Sequence, residues 1–161
     1  MRTAVCAGSF DPITLGHLDI IRRAAALFDR VWVCVVPNAG KKDQMFTPDE
    51  KLRMVRAAVS GLPNVEAELF NGLLAEFART HGADVIVRGV RNGTDFDVEY
   101  QLARINRGIC GALETVLLPA GAEYQHLSSS MAREMIRYRQ PLERCLPAPV
   151  LPLVREMRKD E

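Results

Sequence analysis

A short segment near the start of the chain carries residue types that bind phosphate. An apolar run leads into Gly8 and Ser9, and Thr14, Gly16 and His17 follow at the start of a helix-like stretch. A strand, a tight loop and a helix start bring free backbone N–H groups and the positive end of a helix dipole to one point, which favours an anion. The glycines let backbone approach a ligand, and the hydroxyls and the imidazole can hydrogen-bond to it. The segment predicts a phosphate site, although a lone histidine is more often structural.

A second group of candidate anion-binding residues follows a later apolar run. Arg88 ends that run, and an arginine there is costly to bury unless an anion pairs with it. Gly89 allows backbone to approach a ligand. Arg91 either reaches a bound phosphate or forms a surface salt bridge with Asp95 or Glu99.

Two further segments have both a functional and an ordinary interpretation. Lys41 and Lys42 either grip an anion or belong to a solvated loop. Ser128, Ser129 and Ser130 either bind a ligand at a helix N-terminus or merely cap that helix. Their position after an apolar run favours ligand contact.

The elements that must position these residues alternate between short apolar runs and amphipathic stretches. Strands are predicted at 3–7, 31–36, 65–70, 85–88 and 115–118, and helices at 16–28, 48–59, 73–80, 96–110, 129–138 and 149–158. Thr47, Pro48 and Glu50 form a capping box that starts the second helix, and Gly82 closes the third. Continuous apolar strands separated by helices indicate an α/β fold, a doubly wound five-stranded parallel sheet with a C-terminal helical extension. We expect one domain over 1–161, with its ligand beyond the carboxyl ends of the strands.

Composition excludes several classes of protein. The chain has 161 residues and a net charge of +1, from 21 basic and 20 acidic side chains, so a general nucleic-acid or membrane-surface binder is not expected. Its four cysteines lack metal-ligand spacing, and a reducing cytoplasm is the expected compartment. We expect no signal peptide, no membrane span and no protein-built metal site.

Two motifs resemble a known superfamily. The stretch from Gly8 to His17 resembles the (H/T)xGH motif of nucleotidyltransferases, and the stretch from Leu127 to Arg133 resembles their ISSTxxR signature. Further matches at 41–47, 88–91 and 95–103 look like bacterial phosphopantetheine adenylyltransferases, and the resemblance covers essentially the whole chain. It implies a Rossmann-like nucleotidyltransferase fold. Ala7, Leu15 and Tyr124 depart from the usual pattern, but none removes a group that the reaction requires.

The resemblance implies transfer of the AMP moiety of ATP to 4′-phosphopantetheine, which gives dephospho-coenzyme A and pyrophosphate. The acceptor phosphate attacks directly, so no protein nucleophile is needed. The implied catalytic residues are His17, Lys41 and Arg91, and the acceptor would contact Ser9, Lys41, Leu74 and Arg88. ATP would contact Ser9, Phe10, His17, Gly89, Val90, Arg91, Glu99, Tyr124, Gln125, His126, Leu127, Ser128, Ser129 and Ser130, and Arg133 could reach its β- and γ-phosphates.

The resemblance also implies magnesium carried by ATP and pyrophosphate, a homohexamer, and feedback inhibition by coenzyme A. Two alternatives stay open. The chain could use another acceptor, such as nicotinate mononucleotide, or it could be a module that senses ATP or coenzyme A without turnover.

Overall fold

The computed structural model describes residues 1–37 and 44–158. Five parallel strands form one sheet in the order β3-β2-β1-β4-β5. They are β1 (Thr3–Gly8), β2 (Arg30–Val35), β3 (Val65–Leu69), β4 (Val85–Val90) and β5 (Glu114–Pro119). Strand order therefore reverses between β1 and β4, and the predicted doubly wound sheet is confirmed.

Within residues 1–37 and 44–158, six α-helices connect and follow these strands. They are α1 (Leu15–Leu27), α2 (Pro48–Val59), α3 (Leu74–Thr80), α4 (Gly93–Ile109), α5 (Ser129–Arg137) and α6 (Leu151–Met157), with 3₁₀ turns at Ala122–Tyr124 and Ala148–Val150. The predicted capping box at Thr47 is present, with both reciprocal hydrogen bonds and proline in the first turn. The predicted final helix is instead a 3₁₀ turn followed by α6, and α4 begins three residues before its predicted start.

Alternate residues of the strands face two separate layers of core. Ala4 and Cys6 pack with residues of α1, α2 and the C-terminal segments. Val5, between them, packs on the other face with Phe77 of α3 and Leu113, the residue before β5. Helices on both faces leave the carboxyl ends of β1 and β4 open for a site. No helix in 1–37 or 44–158 is long and apolar enough to cross a membrane.

Candidate active site

A cleft of about 410 Å³ opens at the carboxyl ends of β1 and β4, where the strand order reverses. It lies between the loop after β1, the start of α1, the end of β4, α4 and the start of α5. This is the place where open α/β sheets bind ligands. A larger surface depression of about 760 Å³ lies beside α5 and α6, but none of the predicted site residues line it.

The start of α1 holds His17 in one orientation. Thr14 is the N-cap, and its side chain accepts a hydrogen bond from the backbone N–H of His17 (3.3 Å). The Thr14 N–H in turn donates to Nδ1 of His17 (3.0 Å). Because a backbone N–H can only donate, Nδ1 must accept, and the proton of the neutral ring is on Nε2. His17 therefore has a hydrogen-bond donor at Nε2.

The surroundings of His17 favour its neutral form. Burial, together with the positive charges of Arg88 and Arg91, lowers the pKa of His17 from 6.5 to about 4. The ring is neutral at pH 7 in the ligand-free cleft. It can serve as a hydrogen-bond donor there, and an added phosphate would favour its protonated form.

The loop after β1 folds the Phe10 ring close against Gly8. Phe10 is a non-glycine residue with a positive φ of 45°, and its ring is buried and packs edge-to-face on His17 at 5.2 Å between centroids. A Cβ on Gly8 would lie 3.1 Å from the Phe10 ring. Strain of this kind clusters at functional sites. The loop therefore keeps Ser9 at the cleft at a conformational cost.

Arg88, near the end of β4, is paired within the chain itself. Its Nε and Nη2 donate to the two carboxylate oxygens of Glu99 at 2.8 and 2.7 Å, and Nη1 donates to the carbonyl of Ala7. Glu99 is 8% exposed and lies on α4. Glu99 therefore supplies an anion beside this half-buried arginine.

Arg91 is held in the same way by Asp95, in the first turn of α4. Its Nε and Nη2 donate to Asp95 at 2.8 and 3.2 Å, and Nη1 donates to the carbonyl of Leu127 at 3.2 Å. These hydrogen bonds raise the pKa of Arg91 and lower that of Asp95. Of the two interpretations of Arg91, the salt bridge is present, and the side chain still lines the cleft.

The serines at the start of α5 cap that helix and also line the cleft. Ser128 caps the helix by accepting from the N–H of Met131 (3.1 Å), and Ser129 donates to the carbonyl of Pro12 (2.8 Å). All three serines nevertheless line the cleft. Arg133, one turn into α5, donates to Ser130 at 3.1 Å and also lines the cleft.

A buried charge cluster beneath the loop was not predicted from the sequence. The Asp11 carboxylate accepts from the N–H groups of Met45 (3.1 Å) and Phe46 (3.0 Å), and it lies 3.6 Å from both Lys51 and Arg133. Lys51 is completely buried. Arg133 also donates to the Asp11 carbonyl at 2.8 Å. The sequence offered one indication of this cluster, the acidic residue Asp11 in the loop after β1. It did not indicate that Lys51, on a helix, is buried.

The fold brings most of the predicted site residues to one cleft. Those that line it are Ser9, Phe10, His17, Arg88, Gly89, Arg91, Glu99, Tyr124, Leu127, Ser128, Ser129 and Ser130. Val90, Gln125 and His126 adjoin lining residues without lining the cleft themselves, and Leu74 packs at the edge of the second core layer. Lys41 lies outside the described residues.

The two carboxylates that line the cleft, those of Asp95 and Glu99, are paired with arginines. Within the described parts of the chain, no three His, Cys, Asp or Glu side chains cluster to hold a metal ion. The donor set of the cleft consists instead of guanidinium groups, hydroxyls and an imidazole, which suits phosphate oxygens. A magnesium ion would fit here when it is coordinated by the phosphate oxygens of a bound polyphosphate.

Comparisons with known proteins bear on what this cleft does. A family model described as cytidylyltransferase-like matches residues 5–135. A phosphopantetheine adenylyltransferase of Symbiobacterium thermophilum is 48% identical over 147 residues, which are 91% of this chain and 90% of that protein. The chain belongs to the phosphopantetheine adenylyltransferase family. A family member from Heliobacterium modesticaldum is 47% identical over 151 residues, covering 94% of this chain and 89% of its own. The resemblance inferred from the motifs is confirmed.

The solved structures support the fold of this phosphopantetheine adenylyltransferase family member. A structure from Vibrio parahaemolyticus assigned as a nicotinate-nucleotide adenylyltransferase matches with a TM-score of 0.73, covering 100% of this chain and 98% of that one. At 18% identity the match shows the nucleotidyltransferase-like fold alone.

Proposed function

We propose that the chain transfers the adenylyl group of ATP to 4′-phosphopantetheine, giving dephospho-coenzyme A and pyrophosphate, the penultimate step of coenzyme A synthesis. The observation that carries this proposal is a single cleft that joins His17, Arg88, Arg91 and the α5 serines in a chain 48% identical to a phosphopantetheine adenylyltransferase over nine-tenths of its length.

The residues of the cleft suit a reaction that needs no protein nucleophile. An oxygen of the acceptor phosphate attacks the α-phosphorus of ATP. The bond between that phosphorus and the oxygen that bridges it to the β-phosphorus breaks, and pyrophosphate leaves. Negative charge moves onto the phosphate oxygens as this happens. Nε2–H of His17 and the guanidinium of Arg91 would stabilise that charge without forming a covalent intermediate.

The two substrates would occupy opposite ends of the cleft. Ser9 and Arg88 would bind the acceptor phosphate, and the start of α5, with Gly89, Arg91 and Arg133, would bind ATP. Contacts of Lys41 and Leu74 with the acceptor, and of Val90, Tyr124, Gln125, His126 and Leu127 with ATP, stay predictions. Magnesium would neutralise charge on the phosphates that carry it.

A direct assay separates this reaction from the use of another acceptor. The purified chain is incubated with ATP, magnesium and either 4′-phosphopantetheine or nicotinate mononucleotide, and pyrophosphate release is measured. We expect release with 4′-phosphopantetheine only. Release with the nucleotide alone would overturn the proposed substrate.

Two variants test the roles of the cleft residues. His17→Ala should lower turnover strongly while ATP binding is retained, because the ring acts on charge that develops in the transition state. Equal loss of ATP binding and turnover would indicate a ground-state role. Arg88→Ala should raise KM for 4′-phosphopantetheine more than KM for ATP, and the reverse would show that the subsites are exchanged.

Self-association through α4 forms part of the proposal. Six large apolar side chains of this helix are exposed, at 42–59%: Phe96, Val98, Tyr100, Leu102, Ile105 and Ile109. A homohexamer that covers them would remove this apolar surface from water. Ile105→Glu should then reduce the mass measured by light scattering, whereas Leu27→Glu, at an exposed leucine on α1, should not.

We also propose that coenzyme A inhibits by binding in the same cleft, and that the reaction takes place in the cytoplasm. Competition between coenzyme A and both substrates would test the first point. The second is supported by four free cysteines, three of them buried.

A further inference from the structure

Lys51 of α2 is a completely buried lysine that the proposed reaction does not use. Its Nζ donates to Oε1 of Gln44 at 2.6 Å. Lysine is almost never fully buried unless an opposite charge lies close to it. That charge is the carboxylate of Asp11, 3.6 Å away in the loop after β1. The fold therefore places a buried cation beside a loop whose residues Ser9 and Phe10 line the cleft.

The carboxylate of Asp11 is shared by two cations, one at each oxygen. Oδ1 accepts from the N–H of Phe46 at 3.0 Å and lies 3.6 Å from Nζ of Lys51. Oδ2 accepts from the N–H of Met45 at 3.1 Å and lies 3.6 Å from Nη1 of Arg133. Separations of 3.6 Å are too long for hydrogen bonds, so both cations interact with the carboxylate through their charge. One carboxylate cannot neutralise two cations, and the three side chains keep a net positive charge.

Arg133 connects this buried group of charges with the cleft. Its Nη1 donates to the backbone carbonyl of Asp11 at 2.8 Å, and its Nη2 donates to the hydroxyl of Ser130 at 3.1 Å. Both Arg133 and Ser130 line the cleft, and the side chain of Arg133 is 14% exposed. Arg133 is therefore the one of the two cations that a ligand in the cleft can touch.

The second cation changes what Arg133 presents to an anion. A carboxylate that faced Arg133 alone would cancel most of the arginine's positive charge and would draw its guanidinium away from the cleft. Lys51 attracts the same carboxylate from the opposite side, which opposes both effects. Because Lys51 is completely buried, the excess positive charge acts on a ligand at Arg133.

We infer that Lys51 is a positioning residue for ATP that acts through Arg133. By sharing the carboxylate of Asp11, it keeps Arg133 at the cleft with its charge available to the β- and γ-phosphates. The inference rests on the proposed function for the identity of the ligand. The family resemblance implied no role for Lys51, and the alternative is that this lysine only stabilises the fold.

Lys51→Met tests the inference because it removes the charge and keeps the length of the side chain. Asp11 would still face Arg133 and accept from two N–H groups, so the variant should fold, which urea unfolding checks. The dissociation constants of ATP and of AMP are measured by titration calorimetry without the acceptor. ATP binding should weaken about tenfold, the effect of losing one charged hydrogen bond. AMP lacks the β- and γ-phosphates, and its binding should change less than about twofold.

Three further variants separate the charge of Lys51 from its bulk. Lys51→Arg keeps the charge and should retain most of the ATP affinity. Arg133→Met should weaken ATP binding as Lys51→Met does, and combining the two should add little, because Lys51 acts through Arg133. Arg53→Met is the matched control: it removes an exposed cation of the same helix, paired with Glu156, and should change neither affinity. If Lys51→Met does not fold, Lys51→Gln, which keeps a donor for Gln44, replaces it.

Several results would overturn the inference. They are an unchanged ATP affinity in Lys51→Met, an equal loss of ATP and AMP binding, and a full additional effect of Lys51→Met in the Arg133→Met background. Failure of both neutral variants to fold would assign Lys51 to the fold instead. Failure of the wild-type chain to release pyrophosphate would overturn the proposed function, and the binding comparison would stand because it requires no turnover.

Discussion

Protonation of His17 should make the free energy of unfolding depend on pH in a defined window. The folded protein lowers the pKa of His17 from 6.5 to about 4, so between these values the unfolded chain binds a proton that the folded chain does not. Stability must then rise with pH through this window and fall as the pH drops from 6.5 toward 4. Well above pH 6.5 the ring is neutral in both states, and its contribution is constant.

The size of the effect follows from the two pKa values. The linkage relation converts them to a loss of about 3 kcal/mol at pH 4 relative to pH 7. A loss of that size is a large fraction of the stability of an ordinary domain. Carboxylates also titrate near pH 4, so the contribution of His17 must be isolated by difference.

Urea unfolding of the wild type and of His17→Asn, measured from pH 7.5 to 4, supplies that difference. Asparagine keeps an acceptor for the Thr14 N–H and removes the titration. The stability of the wild type relative to His17→Asn should fall by about 3 kcal/mol across the window, and His126→Asn, at an exposed loop residue, is the control. A flat difference, or a relative gain by the wild type at low pH, would refute the assignment of a neutral His17 in the folded protein.

Two further predictions concern local structure and also use matched variants. Thr14→Ala and Thr47→Ala each remove an N-cap side chain and should each lower the free energy of urea unfolding by about 1 kcal/mol. Only Thr14→Ala should also lower turnover, because the hydroxyl that it removes contacts His17. Gly89→Ala would place a Cβ 2.8 Å from a side chain of α1 and should cost about 1–3 kcal/mol in the same measurement. Gly108→Ala, where no atom lies within 4 Å, should instead stabilise α4 by about 0.5–1 kcal/mol. A loss of stability in Gly108→Ala, or none in Gly89→Ala, would contradict this explanation.

The sheet was predicted well because the patterns that indicate its strands lie within short stretches of the sequence. All five strands and all six helical regions were located, since parallel strands with both faces covered are continuous apolar runs. The start of α4 was missed because Gly93 and Thr94 are weak helix formers. Asn92, which caps the helix by accepting from the N–H of Asp95 at 2.9 Å, was a usable signal that the prediction passed over.

The contacts between distant segments were less predictable. An anion beside Arg88 was expected, but periodicity and spacing could not identify Glu99 as that anion. The capping box at the start of α1 was also missed, because His17 stands where glutamate or glutamine is usual. Burial of Lys51 depends on packing between α2 and the loop after β1. The sequence around Lys51 does not indicate that packing.

The sheet order has a consequence for the order in which the protein folds during synthesis. Of these five strands β1 is made first, and it lies at the centre of the sheet, with β2 on one side and β4 on the other. The nascent chain can pair β1 with β2 early, but the opposite edge of β1 stays unpaired until residues 85–90 leave the ribosome. An exposed strand edge invites pairing with other chains. Until β4 is made, the free edge of β1 is therefore open to pairing with other chains.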